Sequence, residues 1–232
     1  MDYTIFSDDY SGEEGYNPDA DLGLGCGIPT QYANINKGDS LLDLGSGAGN
    51  DCFVARALVG EEGFVTGLDF TDAMILKAEE NNQKLGYSNV RFVKGDIEEM
   101  PLADGTYDVI VSNCVLNLVP DKTKAFKQIM RVLKPGGHFC VSDVVIKGDL
   151  PERLQKDAEM YAGCVSGAVQ MDEYLAIIEN QGFENILIHK QKEISIPEDV
   201  LANYLSPAEI DSFKSSGLGI YSITVSAFKR GK

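Results

Sequence analysis

The sequence predicts an α/β protein with a doubly wound, mostly parallel seven-stranded sheet of the Rossmann-like kind and an antiparallel C-terminal edge pair. Three observations predict it. Short apolar runs alternate with segments of helical spacing from Ser40 to Val145, the pattern of strands joined by helical crossovers. The first of these runs ends in a glycine-rich turn. Beyond Lys147 the repeat gives way to two alternating runs, Ile186 to Ile196 and Ile220 to Phe228, which suit an antiparallel edge.

The elements follow in order. Leu41, Leu42 and Leu44 make a short run expected of a strand buried on both faces. Gly45, Gly47 and Gly49 then permit a sharp turn, and Asn50 is placed to cap a helix that turns Phe53, Val54, Ala57 and Leu58 inward and ends at Gly60. Gly63 to Asp69 reads as the second strand. Thr71 is placed to cap a helix carrying Met74, Ile75, Ala78 and Leu85, which Gly86 ends. Asn89 to Lys94 is the third strand. No full helical pattern separates it from the fourth, Tyr107 to Ser112, which follows a turn at Asp104-Gly105. Asp121 is placed to cap a helix with Ala125, Phe126, Ile129, Met130 and Leu133 on one face. Pro135-Gly136-Gly137 stops it and leads into a fifth strand, His138 to Val145. Pro151 to Tyr161 has a helical pattern, Gly163 to Ala168 is a loop of small residues, and Met171 to Asn180 is a further helix. Pro197 to Gly219 joins the last two strands.

The glycine turn discriminates among ligands. A dinucleotide fingerprint reads G-x-G-x-x-G, and a phosphate loop ends in Gly-Lys-Ser/Thr. This chain has Asp43-x-Gly45-x-Gly47-x-Gly49 and no lysine. Asp69 ends the second strand 24 residues after Gly45, where such a unit offers a carboxylate to ribose hydroxyls. A ribose-bearing ligand without a pyrophosphate fits, and S-adenosylmethionine fits best; a glycine turn with no ligand is the plain alternative. Asp96, in Gly95-Asp96-Ile97-Glu98, either takes an adenine amino group or caps a short turn.

A formal net charge of −16 opposes nucleic acid and anionic membranes, yet does not repel a sulfonium cofactor or an uncharged substrate. No run approaches a membrane span and no signal pattern opens the chain, so a cytoplasmic protein is expected. Three parts are expected: an N-terminal arm and cysteine loop (1–36), a cofactor-binding core (37–147) and a substrate-side segment closing the sheet (148–232). The arm holds seven acids and no Lys or Arg, as a solvated, mobile segment does.

The five cysteines form no C-x-x-C pair, and two histidines offer few further ligands, which argues against a zinc site. Cys140 falls within a strand and Cys52 near the start of the first helix, where a thiol packs as a small hydrophobe. Cys114 lies just past the fourth strand, beside the first, and so should face the reactive end of a ligand. Cys26 and Cys164 lie in glycine-flanked loops. By themselves these residues favour three unrelated loop cysteines.

The chain also resembles the arsenite S-adenosylmethionine methyltransferases, from about Leu22 to Gly182. The resemblance rests on Gly25-Cys26-Gly27, the run Leu42 to Gly49, Asp51-Cys52, Val65 to Asp69 and Ser112-Asn113-Cys114-Val115-Leu116-Asn117-Leu118. It extends through Asp121-Lys122, Arg131 to Gly137, Ser142-Asp143 and Cys164-Val165-Ser166-Gly167-Ala168. The glycine and Lys-Pro-Gly-Gly motifs are shared widely among methyltransferases; the Ser-Asn-Cys and Cys-x-x-Gly-Ala segments are more specific.

That resemblance implies that Cys26, Cys114 and Cys164 bind trivalent arsenic, a soft centre that thiolates select, and act as the catalytic set. It implies a cofactor site drawn from Asp43, Gly45, Ser46, Gly47, Gly49, Asp51, Asp69, Phe70, Asp96, Ile97, Glu98 and Asn113. Longer relatives carry a further cysteine upstream of the glycine-flanked one, used in reduction by disulfide relay. Here none precedes Cys26, which implies either an external thiol reductant of the glutathione or thioredoxin type or another cysteine pair. A methyltransferase for a small organic substrate, such as a quinone precursor or a thiol, and a non-catalytic arsenic- or thiol-responsive binding protein are the alternatives.

Overall fold

The structure, a computed structural model, describes residues 8–148, 165, 167–196, 198–203 and 205–231. Seven strands form one sheet: β1 (Ser40–Leu44), β2 (Phe64–Asp69), β3 (Val90–Lys94), β4 (Tyr107–Asn113), β5 (Leu133–Lys147), β6 (Phe183–Ile194) and β7 (Gly219–Lys229). Their order is β3-β2-β1-β4-β5-β7-β6. β1 to β5 run parallel, whereas β7 is antiparallel to β5 and β6 antiparallel to β7. This is the predicted fold. Strand order reverses between β1 and β4, and in open sheets the crevice beyond the carboxyl ends at that point takes ligands.

α1 (Asn50–Val59), α2 (Asp72–Leu85), α3 (Lys122–Val132) and α4 (Met171–Asn180) cover the sheet; α5 (Glu198–Leu201) and α6 (Pro207–Ser216) lie between β6 and β7. Successive residues of β1 serve opposite layers, as the two-residue period of a strand requires. Leu41 packs with Phe53 and Val59 of α1 and with Cys140. Leu42 and Leu44 pack with Phe126 and Ile129 of α3 and with Tyr174 of α4. The Phe126 ring meets those of Phe139 and Tyr174, each with centroids 5.6 Å apart, giving the second layer a stiff aromatic floor. Among the described residues, no helix is long and apolar enough to cross a membrane.

Several local expectations change. Asn50 does not cap α1: Gly49, at φ +100°, takes the cap position and Asn50 becomes the first helical residue. Thr71 occupies the cap position of α2 without a side-chain bond; its N–H donates instead to Asp69 Oδ1 at 2.9 Å. Asp121 does cap α3, accepting the Lys124 N–H at 2.9 Å. β5 begins at Leu133, not His138. Leu133 already pairs with Tyr107, and Pro135-Gly136-Gly137 is absorbed as an irregularity before His138 pairs with Val109. The expected helix over Pro151 to Tyr161 lies outside the described residues.

The described part of the N-terminal arm is not solvated throughout. Tyr10 and Ala20 are buried, and Asp8 meets Lys190 and Lys192 of β6 at 2.7 and 3.4 Å. Seven acids without a base look like a mobile segment, but Asp8 is met by lysines from the far end of the chain and Asp19 by Lys84, at 3.1 Å.

Candidate active site

β1 ends in a turn that the end of β2 supports. The N–H groups of Gly45 and Ser46 donate to Leu68 O at 2.8 and 3.0 Å, and the Gly47 N–H donates to Asp69 Oδ2 at 3.0 Å. Asp69 thereby braces the turn while lining the same cavity. That cavity, about 920 Å³, opens along the carboxyl ends of β1, β2 and β4. Gly45, Ser46, Gly47, Asp51, Asp69 and Phe70 line it on one side; Asp96, Ile97, Glu98 and Asn113 complete that wall. Asp43 and Gly49 lie behind the lining.

The donor set and the shape suit a nucleoside cofactor. Ser46 Oγ is buried against the cavity with no hydrogen-bond partner, and the Phe70 ring stands 76% exposed beside the Asp69 carboxylate. An apolar face and a carboxylate side by side match the two halves of a nucleoside. Glu98 is otherwise engaged: its carboxylate accepts the Asp121 N–H at 2.9 Å and meets Lys124 at 3.8 Å.

Asn113, the last residue of β4, ties the cysteine loop to this wall. Its Oδ1 accepts the Cys26 N–H at 3.1 Å, and its Nδ2 donates to Gly27 O at 2.8 Å and to the Tyr10 hydroxyl at 2.7 Å. Tyr10 in turn donates to Asp51 Oδ1 at 2.7 Å. The loop could not lie so flat with larger residues. A Cβ at position 25 would stand 2.5 Å from Asn113 Nδ2, and one at 27 would collide with Ser142 Oγ. Ser222 Oγ of β7 donates to Cys26 O and closes the other side.

Cys114 follows Asn113 in a left-handed conformation, φ +59°, with its N–H donating to Ser142 O at 2.7 Å. Both Cys26 and Cys114 are buried, at 4% and 5% exposure, and both line the cavity. They belong to one apolar cluster with Val144, Ile146, Val165 and Ile194. Cys164 lies outside the described residues. The turn after it is seated on the Cys114 loop: Ala168 N–H donates to Val165 O, and a Cβ on Gly167 would stand 2.6 Å from Asn117 O. Among the described residues, no group of three or more His, Cys, Asp or Glu is close enough to hold a metal ion.

The remaining two thiols lie apart. Cys140 is buried in β5, and burial pushes its thiol up to about 12. Cys52 donates its thiol hydrogen to Asp43 Oδ2 at 3.3 Å, so it is more than packing. Tyr10 is the residue that sequence reasoning missed. Its partners lie 17 to 103 positions away, and the local sequence carries no sign of them.

Two carboxyls here are displaced upward. Asp43 is wholly buried, and burial together with the neighbouring Asp51 charge pushes it well above the usual carboxylate range. Asp51 is raised to about 6, chiefly by burial; the hydrogen bonds from Tyr10 and Asn113 oppose the rise, and Asp21 and Glu13 add to it. Both groups hold protons in the folded chain at pH values where the unfolded chain has lost them. Stability is therefore highest below about pH 4 with respect to these groups and is lost as pH climbs through about 6, by up to about 3 kcal/mol for Asp51. Asp51→Asn is expected to flatten that fall in urea midpoints measured from pH 4 to pH 7 without cofactor. An unchanged pH slope would show that the carboxyl is not held proton-bound.

The fold is of the Rossmann-like class, and its switch-point cavity carries two buried thiols on its wall. The methyltransferase-domain family matches residues 35–182. An arsenite methyltransferase of Halobacterium salinarum is 42% identical over 210 residues, covering 90% of this chain and 51% of that protein. The human arsenite methyltransferase is 40% identical over 170 residues, 68% of this chain and 44% of that one. The crystal structure of an arsenic(III) S-adenosylmethionine methyltransferase from Chlamydomonas reinhardtii superimposes with a TM-score of 0.73 at 35% identity, covering 89% of this chain and 68% of that one. The chain belongs to the arsenite S-adenosylmethionine methyltransferase family. It spans about half the length of the curated relatives it matches.

Proposed function

We propose that this chain methylates arsenite with S-adenosylmethionine, holding As(III) on Cys26, Cys114 and Cys164. The observation that carries the reading is the placement of Cys26 and Cys114 in one apolar cluster on the wall of the cavity that the glycine turn and Asp69 also line. Each thiol would displace one hydroxide from arsenite, its proton leaving with that hydroxide as water. The product is a neutral trithiolate with a lone pair on arsenic, and such a nucleophile needs no general base. The cofactor, when bound, supplies an electrophilic methyl group on a sulfonium.

The rest of the site orients and excludes. Asn113 fixes the Cys26 loop through two hydrogen bonds and Tyr10 through a third, and Val144, Val165 and Ile194 keep water from the arsenic side. Gly45, Ser46, Gly47, Asp51, Asp69, Phe70, Asp96 and Ile97 would hold the cofactor, with Asp43 and Gly49 shaping the turn behind them and Glu98 lining the wall while bonded to Asp121. Methyl transfer leaves arsenic formally pentavalent. Two electrons from an external thiol pair of the glutathione or thioredoxin type would return it to the trivalent state, the thiols becoming a disulfide. In this reading residues 1–36 and 148–232 serve the substrate side and 37–147 the cofactor side, in a cytoplasm that keeps the thiols reduced.

The deciding experiment incubates the purified protein with arsenite, thiol reductant and methyl-labelled cofactor, then resolves arsenic species by mass. Labelled methylarsenicals are expected. Transfer of label to an organic acceptor, with none to arsenic, would overturn the proposal.

A further inference from the structure

Two charged side chains are buried where neither helix nor sheet needs them. Lys122 is the first residue of α3 and is only 7% exposed. A lysine there opposes the helix dipole, and burying its ammonium costs free energy unless it is paired. Asp143 lies within β5 at 1% exposure. Both belong to sequence motifs, Asp121-Lys122 and Ser142-Asp143, that the cofactor site leaves unused.

Both side chains bear on the same short loop, Lys122 directly and Asp143 through the strand that anchors it. The Lys122 ammonium donates to Asn117 O at 2.9 Å and to Val119 O at 3.1 Å. The Asp143 carboxylate accepts the Tyr174 hydroxyl at 2.6 Å, and the carbonyl of Ser142 beside it accepts the Cys114 N–H at 2.7 Å. Lys122 thus holds the loop by its carbonyls, while Asp143 ties Tyr174 to the stretch of β5 on which the Cys114 N–H is anchored. The loop begins at Cys114, whose positive φ costs a residue with a Cβ about 1–2 kcal/mol and persists only where the surroundings enforce it. Tyr174 is itself wholly buried. The aromatic floor of Phe126 and Phe139 keeps that tyrosine in place.

We propose that Lys122, Asp143 and Tyr174 form a buried clamp that sets the Cys114 loop, making them positioning residues for the arsenic-holding thiol. The proposal rests on the role given to Cys114 above. Loss of the clamp should free the loop without disturbing the glycine turn, which none of the three residues touches. It should therefore weaken arsenite use and expose the thiol, while leaving the cofactor side unchanged.

The test uses the whole chain and three variants: Lys122→Met, Tyr174→Phe and the charge-keeping Lys122→Arg. Thermal melting first identifies which of them fold; Tyr174→Phe removes one hydroxyl and is the variant expected to survive if Lys122→Met does not. Alkylation of Cys114 by iodoacetamide, read by peptide mass spectrometry with Cys140 as the internal reference, is expected to rise about tenfold in Tyr174→Phe and Lys122→Met. The arsenite KM should rise by about tenfold, with cofactor affinity by calorimetry within about twofold of wild type. Lys122→Arg should recover most of both.

Unchanged Cys114 alkylation in a folded variant overturns the clamp, as does faster alkylation with an unchanged arsenite KM. A Cys114→Ser protein that still methylates arsenite normally would instead bring down the role assigned to the thiol. The alkylation rates would then still judge the clamp.

Discussion

Cys114→Ser is expected to lower arsenite methylation by at least about 100-fold while leaving cofactor affinity within about twofold of wild type. The serine oxygen fits the space, because Cys114 is buried in an apolar cluster and its backbone is held by the N–H bond to Ser142 O. What changes is softness. An alkoxide has no advantage over the hydroxide that arsenite already carries, so the third bond to the protein is not made. Arsenic held on two sulfurs rather than three swings relative to the methyl donor, and misplacement of a reacting atom by about 1 Å costs on the order of 100-fold. Mass-resolved product analysis measures the loss and calorimetry the cofactor affinity. Cys140→Ser supplies the contrast: its thiol lies in the opposite core layer, and its arsenite turnover should follow only the amount of folded protein. Equal losses in the two variants would mean that sulfur at 114 serves packing alone.

Much of the cofactor side was legible in the sequence because it is local. The glycine turn, the acid that ends β2 and the Asp121 cap each depend on residues within a few positions or one β-α-β step. The alternation of apolar runs was enough for the fold class and for setting the fourth strand beside the first, since parallel crossovers allow few arrangements. The capping box Ser206-Pro207-Ala208-Glu209 that opens α6 was equally readable, yet the segment looked like a plain connection between strands.

The cysteine side of the cavity was less legible because it is built from distant pieces. Tyr10 meets Asn113 across 103 positions, and Ser222 meets Cys26 across 196. No period or spacing announces either contact. The glycines flanking Cys26 mark a loop in the sequence, but not what it approaches, which is Asn113 on one side and Ser142 on the other. Asn50 misled for a related reason. A good capping residue stands beside a glycine already in the left-handed conformation, so the turn sets where the helix begins and the asparagine is drawn inside it.

Gly45→Ala should damage both halves of the site at once. Gly45 has φ +71°, and an added Cβ would collide with the Val115 side chain, approaching its Cγ1 to 2.7 Å. The backbone strain costs about 1–2 kcal/mol, and moving a packed β-branched side chain adds a comparable amount. Val115 follows Cys114 directly, so pushing it away displaces the thiol loop as well as distorting the cofactor turn. Cofactor affinity is expected to fall by about 10- to 100-fold, with arsenite turnover falling further because the loop moves too. Gly47→Ala separates the two effects. Its φ of +50° carries a similar strain, but the added Cβ would meet only Leu22 Cδ1, at 3.4 Å, which is ordinary contact. That variant should lose cofactor affinity without raising Cys114 alkylation, whereas Gly45→Ala should raise it. If both variants left Cys114 equally protected, the turn and the thiol loop would be mechanically independent. Val115 would then be no more than a filler between them.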